Sequence, residues 1–248
     1  MNLKAIVLAA GQGKRLRESD SDNIPKVMKI ACGKPLLEYV LGSIDFVGPD
    51  NIYIVVGFGR DVVIDFFGGR YNIAVQHQLL GTGNAVDSCR DLLADFDGST
   101  LVCYGDTPLV LTDTYKTLID NHMAQNNACT ILTTLTENPT GYGRILREQD
   151  SFAGIVEERD CTDEQRKINE INSGIYVFDN KKLFDALSKV VPNNDQKEYY
   201  LTDVPKILGD VGEKIGLYSI PDEWQTIGVN TLDQLDQIEK IIQEKGIL

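Results

Sequence analysis

A glycine loop followed by cations is the first stretch of this sequence whose residue types can do chemistry. Residues 6–10 are apolar and lead directly into Gly11 and Gly13. Cations come soon after, at Lys14, Arg15, Arg17 and Lys26. Glycines let the main chain approach a ligand with free N–H groups, and such loops bind anions. The segment therefore predicts an anion-binding loop, although an ordinary glycine turn with solvated charges has the same pattern.

A second glycine motif, Gly81-Thr82-Gly83, follows a predicted strand and opens a predicted helix. Gly81 and Gly83 can present N–H groups at the positive end of that helix, and the amide of Gln76 can pair with the edge of a nucleobase. A plain strand-to-helix turn is the alternative interpretation.

Two oxygen-bearing side chains are candidates for a metal site. Asp106 follows the most apolar predicted strand, where a carboxylate faces the ligand crevice and can hold Mg²⁺. Helix capping is the alternative for Asp106, but Thr112 is better placed to cap the next helix. Asn230 offers either a second metal oxygen or the N-cap of the last helix, and the two roles do not exclude each other.

Three places between residues 141 and 176 combine glycines and polar groups within β-like sequence. Glycine weakens a strand unless a ligand or another backbone must come close. This pattern predicts a hydroxyl-rich ligand of the sugar type, held by the Gly143 amide, Glu157 and Asn172. A set of bulges and hairpin turns would produce the same pattern.

The elements that must position these residues alternate in the first half of the chain. Strand-like runs occur at residues 3–8, 51–56, 72–75 and 100–104. Helix-length segments occur at residues 35–46, 61–67, 83–94 and 112–126. The alternation predicts an α/β fold with a parallel sheet covered by helices, and such sheets bind ligands at the carboxyl ends of their strands.

The second half is richer in strands. Further strand-like runs occur at residues 129–136, 143–147, 152–157 and 170–178, followed by helices at 181–190 and 202–208, a strand at 215–220 and an amphipathic helix at 232–245. We expect the strand-rich part to be a mixed or antiparallel extension of the same sheet that covers one side of the pocket. Since no stretch has the composition of a linker, we expect one domain, residues 1–248, with lobes at 1–126 and 127–230 and a closing helix at 231–248.

Composition limits the classes of partner. The 248 residues carry a net charge of −13, which argues against nonspecific nucleic-acid binding and against an anionic membrane surface. Residues 1–34 nevertheless hold seven cations and three acids, which favours a small polyanionic ligand there. With no signal peptide and no membrane-length apolar run, the expected location is cytoplasmic. The cysteines are odd in number and widely spaced, so we expect them to be reduced.

Taken in order, the motifs resemble those of the sugar-phosphate nucleotidyltransferases, most closely the uridylyltransferase (pyrophosphorylase) type. The resemblance covers residues 5–234. The motifs that carry it are Leu8-Ala9-Ala10-Gly11-x-Gly13-x-Arg15, Pro25-Lys26, Gln76 with Gly81-Thr82-Gly83, Tyr104-Gly105-Asp106-x-Pro108-Leu109, Pro139-Thr140-Gly141-Tyr142-Gly143-Arg144-Ile145, Ile155-Val156-Glu157-Glu158, Glu170-Ile171-Asn172-x-Gly174-Ile175, Glu198-Tyr199-Tyr200-Leu201-Thr202-Asp203 and Gly228-Val229-Asn230.

The resemblance implies a Rossmann-like, mainly parallel sheet of the nucleotide-diphospho-sugar transferase type, with a nucleotide-binding lobe and a β-rich sugar-binding lobe. It implies that Arg15, Lys26 and Asp106 are catalytic and that Asp106 and Asn230 bind Mg²⁺. The residues implied in nucleotide binding are Leu8, Ala9, Ala10, Gly11, Gly13, Gln76, Gly81, Thr82, Tyr104 and Gly105. Those implied in sugar binding are Gly143, Glu157, Asn172 and Thr202.

The implied reaction joins UTP and N-acetylglucosamine 1-phosphate to UDP-N-acetylglucosamine with release of pyrophosphate. A sugar 1-phosphate is largely a dianion near neutral pH, so its oxygen attacks without a general base. Transfer to another sugar 1-phosphate or phosphorylated alcohol, from UTP or CTP, is an alternative, as is an inactive regulatory subunit that binds nucleotide sugars.

The sequence departs from the family pattern at three places. Lys14 stands where a small hydroxyl residue is usual, the segment between Arg15 and Lys26 is longer, and Asn84 replaces a histidine after Gly-Thr-Gly. The chain also lacks hexapeptide repeats of the kind that form an acetyltransferase domain, so we expect no acetyltransferase activity from it.

Overall fold

The protein was analysed as a computed structural model, and the structure describes residues 2–13, 16 and 24–247. Its strands are β1 (Leu3–Ala9), β2 (Ile30–Ala31), β3 (Lys34–Pro35), β4 (Ile52–Val56), β5 (Asn72–Val75), β6 (Ser99–Tyr104), β7 (Cys129–Leu135), β8 (Gly143–Glu148), β9 (Ser151–Val156), β10 (Glu170–Asp179) and β11 (Ile215–Ile220). Its α-helices are α1 (Leu36–Ser43), α2 (Arg60–Phe67), α3 (Thr82–Asp87), α4 (Thr112–Gln125), α5 (Asn180–Leu187), α6 (Val204–Asp210) and α7 (Leu232–Lys245).

Within the described part of the chain, all strands except β2 and β3 form one nine-stranded sheet. The order is β11-β7-β10-β6-β1-β4-β5, with β8 paired to β10 and β9 paired to β8. β6, β1, β4 and β5 run parallel to one another, and β11 runs parallel to β7. β10 is antiparallel to both β6 and β7 and therefore joins the two parallel groups. The prediction of a mixed, mainly parallel sheet with a β-rich extension is confirmed.

Strand β1 lies inside the sheet, between β6 and β4, and is buried on both faces. Ile6 and Leu8 pack in one apolar cluster, and Ala5, Val7 and Ala9 pack in a second cluster on the other side. This explains the uninterrupted apolar run in the sequence, because a strand covered on both faces has no polar side.

Helix α7 packs against residues that follow the glycine loop and against the segment before Asn230. Its buried residues Ile238 and Ile242 lie in a third cluster that also contains Leu16, Leu36 and Val229. The helix therefore helps to fix both the chain before Asn230 and the chain after the glycine loop. Its prediction at residues 232–245 is confirmed by its observed bounds, Leu232–Lys245.

Several local predictions were wrong. The helix expected at residues 83–94 is the short α3, followed by a separate 3-10 turn at Asp91–Leu93. Thr112 does not cap α4, because the N-cap position is Leu111 and no side chain caps it.

The N-cap role considered for Asn230 belongs to its neighbour Thr231. The Thr231 side chain accepts a hydrogen bond from the Gln234 N–H, and the Gln234 side-chain oxygen accepts one from the Thr231 N–H, which completes a capping box. This leaves the Asn230 side chain free of that role.

The cysteines are free thiols, as expected, and only Cys32 is partly exposed. Burial raises the pKa of Cys89 and of Cys103 to about 12, so both remain protonated near neutral pH. Within the residues that the structure describes, no helix is long and apolar enough to cross a membrane.

Candidate active site

A cavity of about 550 Å³ lies at the carboxyl ends of β1, β5 and β6. The register aligns Leu8 of β1 with Tyr104 of β6 and Ala9 with Val56 of β4, so the strand ends meet at one edge of the sheet. The residues singled out from the sequence that line the cavity are Leu8, Ala10, Gly11, Gly13, Lys26, Gln76, Gly81, Thr82, Tyr104, Asp106 and Asn230. Residues far apart in the sequence thus share one site.

Two residues of the predicted nucleotide set do not line this cavity. The Ala9 side chain is buried in the apolar cluster on the opposite face of β1. Gly105 donates its N–H to Leu8 O at 2.9 Å, and a Cβ there would lie 3.1 Å from the Val27 side chain. Gly105 therefore allows close packing of the turn that follows Lys26.

Lys26, Asp106 and Asn230 meet at one end of the cavity. The Lys26 ammonium forms an ion pair with the Asp106 carboxylate and donates to Asn230 Oδ1 at 3.1 Å. The Lys26 side chain is 17% exposed and the Asp106 side chain 10%, so the pair is largely shielded from water. A shielded charge pair of this kind is stable only while both partners are present.

Local structure explains why these three side chains converge. Lys26 opens a 3-10 turn whose next residues, Val27 and Met28, are buried and anchor it. Asp106 follows β6, and its carbonyl accepts a hydrogen bond from the Val229 N–H at 3.0 Å. That bond places Asn230 beside Asp106 although the two residues are distant in sequence.

The oxygens of Asp106 and Asn230 already share one cation, the Lys26 ammonium. A carboxylate and an amide oxygen also suit a hard divalent cation, which takes further ligands from phosphate and water. Across the described residues, no group of three or more His, Cys, Asp or Glu side chains is placed to hold a metal ion. The pair therefore fits a metal that is held jointly by protein and substrate.

The opposite wall of the cavity is formed by Gln76 and the glycine motif. Gln76 is 6% exposed, and its Nε2 donates to Gly81 O at 3.1 Å and to Asn84 Oδ1 at 2.9 Å. The contact of Asn84 with Gln76 was not foreseen from the sequence, because nothing local to either residue indicates it.

Residues 198–202, which we call the strap, pack over the glycine motif. Tyr199 O accepts from the Gly83 N–H at 2.8 Å, and the Tyr199 N–H donates to Leu80 O at 2.8 Å. A Cβ on Gly81 would lie 2.6 Å from Tyr199 O, so this position requires glycine. The Gly83 N–H is thus bonded within the protein and is not available as the ligand donor that the sequence suggested.

The strap also brings Glu198 to the cavity wall. In the sequence, Glu198 belongs to one of the motifs that carry the resemblance, but it had no predicted role. The helix α6 begins later, at Val204, after a 3-10 turn at Leu201–Asp203.

The four residues of the predicted sugar set lie together, outside the lining of this cavity. Gly143 of β8 is paired with Asn172 of β10, and a Cβ on Gly143 would be 3.5 Å from Glu157 Oε2. Thr202 is buried and donates its hydroxyl to Glu157 Oε1 at 3.1 Å. The geometry of Thr202 therefore fits positioning of Glu157.

The Glu157 carboxyl is perturbed by its surroundings. Burial raises its pKa above the ordinary value, and the hydrogen bond from Thr202 opposes that rise. The Asn172 side chain donates to the Tyr176 hydroxyl at 2.7 Å and accepts from the Gly174 N–H at 3.1 Å, which fixes its orientation.

Tyr104 connects the two groups. It lines the cavity, and its ring packs against Gly174, where a Cβ would lie 2.4 Å from a ring carbon. Burial raises the pKa of its hydroxyl, and the Thr82 hydroxyl bonded to it opposes the rise. A neutral tyrosine thus separates the cavity from the Glu157 cluster.

Arg15, which the resemblance implies is catalytic, lies outside the described residues, as do Lys14 and the lengthened segment 17–23. Lys26 is therefore the cation of the predicted catalytic set whose contacts are known.

The chain belongs to the nucleotidyl transferase family. The model of that family matches residues 4–244. The fold agrees with this assignment, since two solved nucleotidyltransferase structures superpose on most of the chain. One is described as a glucose-1-phosphate thymidylyltransferase from Bacillus anthracis in complex with sucrose, with a TM-score of 0.77, 19% identity and coverage of 96% of this chain and 94% of that one. The other is a UDP-glucose pyrophosphorylase complexed with UDP-glucose, with a TM-score of 0.76, 19% identity and coverage of 99% and 100%.

Closer sequence similarity is found with proteins called bifunctional protein GlmU. The chain is 44% identical over 246 residues to that of Lactobacillus gasseri, which covers 99% of this chain and 52% of the relative. It is 44% identical over 242 residues to that of Clostridium beijerinckii, which covers 97% of this chain and 52% of the relative. The chain thus spans about half the length of these relatives.

Proposed function

We propose that this chain joins UTP and N-acetylglucosamine 1-phosphate to UDP-N-acetylglucosamine and releases pyrophosphate. The observation that carries the proposal is the convergence of Lys26, Asp106 and Asn230 at one end of a cavity whose other wall holds a buried amide, Gln76. Cationic and metal-binding groups beside an amide that can read a base are what a nucleoside triphosphate requires. Similarity to the GlmU proteins supports the particular substrates.

The proposal gives each group of residues a role. The residues that hold the nucleotide are Leu8, Ala9, Ala10, Gly11, Gly13, Gln76, Gly81, Thr82, Tyr104 and Gly105. The residues that hold or orient the sugar are Gly143, Glu157, Asn172 and Thr202. Residues 1–126 form the nucleotide lobe and residues 127–230 the sugar lobe of one domain, which the helix at 231–248 closes.

The mechanism is positioning combined with neutralisation of charge. The sugar phosphate dianion supplies the attacking oxygen, so no side chain needs to remove a proton. Lys26, together with Arg15, holds the triphosphate so that this oxygen lies in line with the α-phosphorus and the departing pyrophosphate. Their positive charge stabilises the charge that develops as the bond breaks.

The absence of a base from the mechanism agrees with the surroundings of His122. Burial lowers the pKa of His122 to about 4, and its ring bonds the Thr130 hydroxyl at 3.0 Å. This histidine is neutral and structural near neutral pH.

Asp106 and Asn230 would hold Mg²⁺ between them and the phosphates. When bound, the ion supplies Lewis-acid stabilisation of phosphoryl charge. Lys26 contacts both oxygens in this structure, so its ammonium and Mg²⁺ would share the same two ligands.

Pyrophosphate release measured across a panel tests the proposal. The panel combines each of UTP, CTP, TTP, ATP and GTP with each of four acceptors. The acceptors are N-acetylglucosamine 1-phosphate, glucose 1-phosphate, galactose 1-phosphate and a phosphorylated alcohol. Each pair is measured with Mg²⁺ and with EDTA. We expect turnover with UTP and N-acetylglucosamine 1-phosphate to exceed every other pair and to need Mg²⁺. Preference for another pair would reassign the substrates, and no turnover with any pair would contradict the enzymatic function.

A further inference from the structure

The amide of Gln76 is held in one orientation. Gln76 stands at the end of β5, where its N–H donates to Val56 O at 2.8 Å. Its Nε2 has two hydrogens, and both are used, one by Gly81 O at 3.1 Å and one by Asn84 Oδ1 at 2.9 Å. Gly81 O is a carbonyl oxygen and can only accept, so the nitrogen of Gln76 must face it.

The same carbonyl also sets the orientation of Asn84. With the Gln76 nitrogen facing Gly81 O, its second hydrogen points at Asn84, which must present its oxygen. If either amide turned over, two donors or two acceptors would face each other across this partly buried contact. Such a contact costs more than a missing hydrogen bond. The chain from Gly81 through Gln76 to Asn84 is therefore polarised in one direction.

This arrangement determines what Gln76 shows to the cavity. Within the described residues, no group donates to Gln76 Oε1, although the residue is 6% exposed and lines the cavity. Gln76 Oε1 is not shut off from solvent as the buried unpartnered atoms are, so a ligand in the cavity can reach it. Gln76 thus offers a ligand a hydrogen-bond acceptor and has no donor left to offer.

We propose that Asn84 is a positioning residue: together with Gly81 O it holds the Gln76 amide so that the site selects a base with an N–H facing Gln76 Oε1. This inference rests on the proposed function and adds the determinant of its nucleotide specificity. Uracil presents its N3–H there, which Gln76 Oε1 accepts. Cytosine in the same pose presents the lone pair of N3, so two acceptors face each other.

The test compares nucleotide binding by calorimetry, without sugar phosphate, for UTP, CTP and 3-methyl-UTP. The variants are Asn84→Ala, which removes the acceptor, and Asn84→Asp, which keeps one. Ser88→Ala is the matched control, because Ser88 lies one turn further along and its hydroxyl bonds the Asn84 carbonyl at 3.1 Å and no other group in the described part of the chain. Thermal melts identify any variant that does not fold.

We expect the wild-type chain to bind UTP more tightly than both CTP and 3-methyl-UTP. In Asn84→Ala the ratio of UTP to CTP affinity should fall by about three- to tenfold, the effect of one hydrogen bond holding the amide. Asn84→Asp and Ser88→Ala should keep the ratio within about twofold, since neither removes an acceptor facing Gln76.

A double-mutant cycle shows whether Asn84 acts through Gln76. In a Gln76→Ala chain, adding Asn84→Ala should leave the ratio unchanged. A further fall there, an equal loss of both nucleotides in Asn84→Ala, or a wild-type chain without UTP preference would each overturn the inference. Preferential UTP binding that depends on Asn84, without turnover in the substrate panel, would contradict the proposed function alone.

Discussion

Lys26 joins Asp106 and Asn230 at the end of the cavity where we propose that the phosphates bind. Its ammonium contacts Asp106 and Asn230, and its side chain is 17% exposed. We expect Lys26→Ala to lower kcat by about 10²- to 10³-fold, as removal of one preorganised charge-stabilising donor typically does. Steady-state pyrophosphate release and a thermal melt measure turnover and folding on the same sample.

The matched control for this change is Lys167→Ala. Lys167 is 69% exposed and, within the described residues, pairs with Glu164 alone, so its loss should change neither turnover nor stability measurably. Wild-type turnover by a folded Lys26→Ala chain would show that Lys26 does not act on the reacting phosphates.

Gly13 sets the position of Lys26 through direct packing. It has a φ of +57°, and a Cβ there would lie 2.6 Å from Lys26 Cβ. Gly13→Ala should therefore displace Lys26 and lower kcat/KM by at least about tenfold, since small displacements of positioning groups are costly. The kinetic assay is the same pyrophosphate release measurement.

Gly33→Ala separates backbone strain from this contact. Gly33 also has a positive φ, +85°, but nothing lies within 4 Å of its Cβ position. Both alanine variants should lose about 1–2 kcal/mol of stability from the left-handed backbone, whereas only Gly13→Ala should lose activity. Equal activity in the two variants would remove Gly13 from the account of the site.

At the scale of elements, the strap links the two halves of the site. Leu201 N–H donates to the Thr82 hydroxyl at 3.0 Å, and Thr202 next to it donates to Glu157 Oε1 at 3.1 Å. The start of α3, which lines the cavity, and the Glu157 carboxylate are thus bonded to adjacent residues of one segment. We infer that a substitution in the strap changes the environment of the Glu157 carboxylate.

The pH dependence of the KM for the sugar phosphate in Thr202→Val tests this inference. Burial raises the pKa of Glu157, and the Thr202 hydrogen bond opposes that rise, so its loss should raise the pKa further. Protonated Glu157 accepts fewer hydrogen bonds from sugar hydroxyls. The KM for the sugar phosphate should therefore increase as pH falls through this pKa, and the increase should begin at a higher pH in the variant.

The pH dependence of the free energy of unfolding should also report the raised pKa of Glu157. A carboxyl with a raised folded pKa makes the free energy of unfolding fall as pH rises from its unfolded pKa to its folded pKa. In Thr202→Val this fall should extend to higher pH, as measured by urea unfolding across the acid range. Thr117→Val, which removes an exposed hydroxyl bonded to Asp113 O, should follow the wild-type profile. Superimposable profiles for Thr202→Val and wild type would exclude a role of Thr202 in tuning Glu157.

The strap also shows where prediction from the sequence ended. Strand β1, the sheet class and α7 were predictable because each has a local signal: a continuous apolar run, alternation of elements, and amphipathic spacing. The contact between the strap and Gly81 has no such signal, because it joins residues more than one hundred positions apart. The short α3 was overestimated for a related reason, since the apolar residues after it continue the helical pattern into a separate turn.

The candidate site was predictable to a similar extent. The types of Lys26, Asp106 and Asn230 and their places after predicted elements indicated phosphate and metal chemistry, and the structure brings them together. The orientation of the Gln76 amide was not predictable. It depends on which oxygen of the folded chain faces it, and no sequence pattern encodes that.

At the scale of the whole molecule, β10 joins the strands beside the cavity to the strands around Glu157, because it pairs with β6 on one side and with β7 and β8 on the other. Asn180, directly after β10, is 1% exposed and accepts from the Thr100 hydroxyl of β6 at 2.8 Å. Its Nδ2 donates to Leu93 O at 3.0 Å and to Phe96 O at 2.9 Å, both in the connection between α3 and β6. One amide at the end of β10 thus bonds three polar groups of residues 93–100.

Asn180→Ala removes the side-chain partner of the Thr100 hydroxyl and of Phe96 O, whereas Leu93 O still accepts from the Phe96 N–H at 3.1 Å. Because unsatisfied buried polar groups cost more than a hydrogen bond contributes, we expect a loss of roughly 2–4 kcal/mol in the free energy of unfolding, measured by urea titration. Asn121→Ala is the control, since the Asn121 side chain donates to one carbonyl, Thr117 O, within its own helix, and its loss should cost less than about 1 kcal/mol. If Asn180 joins the two parts, Asn180→Ala should bind UTP less tightly and show a higher KM for the sugar phosphate already at temperatures below its Tm. A variant as stable as Asn121→Ala would mean that the sheet alone holds the two parts together.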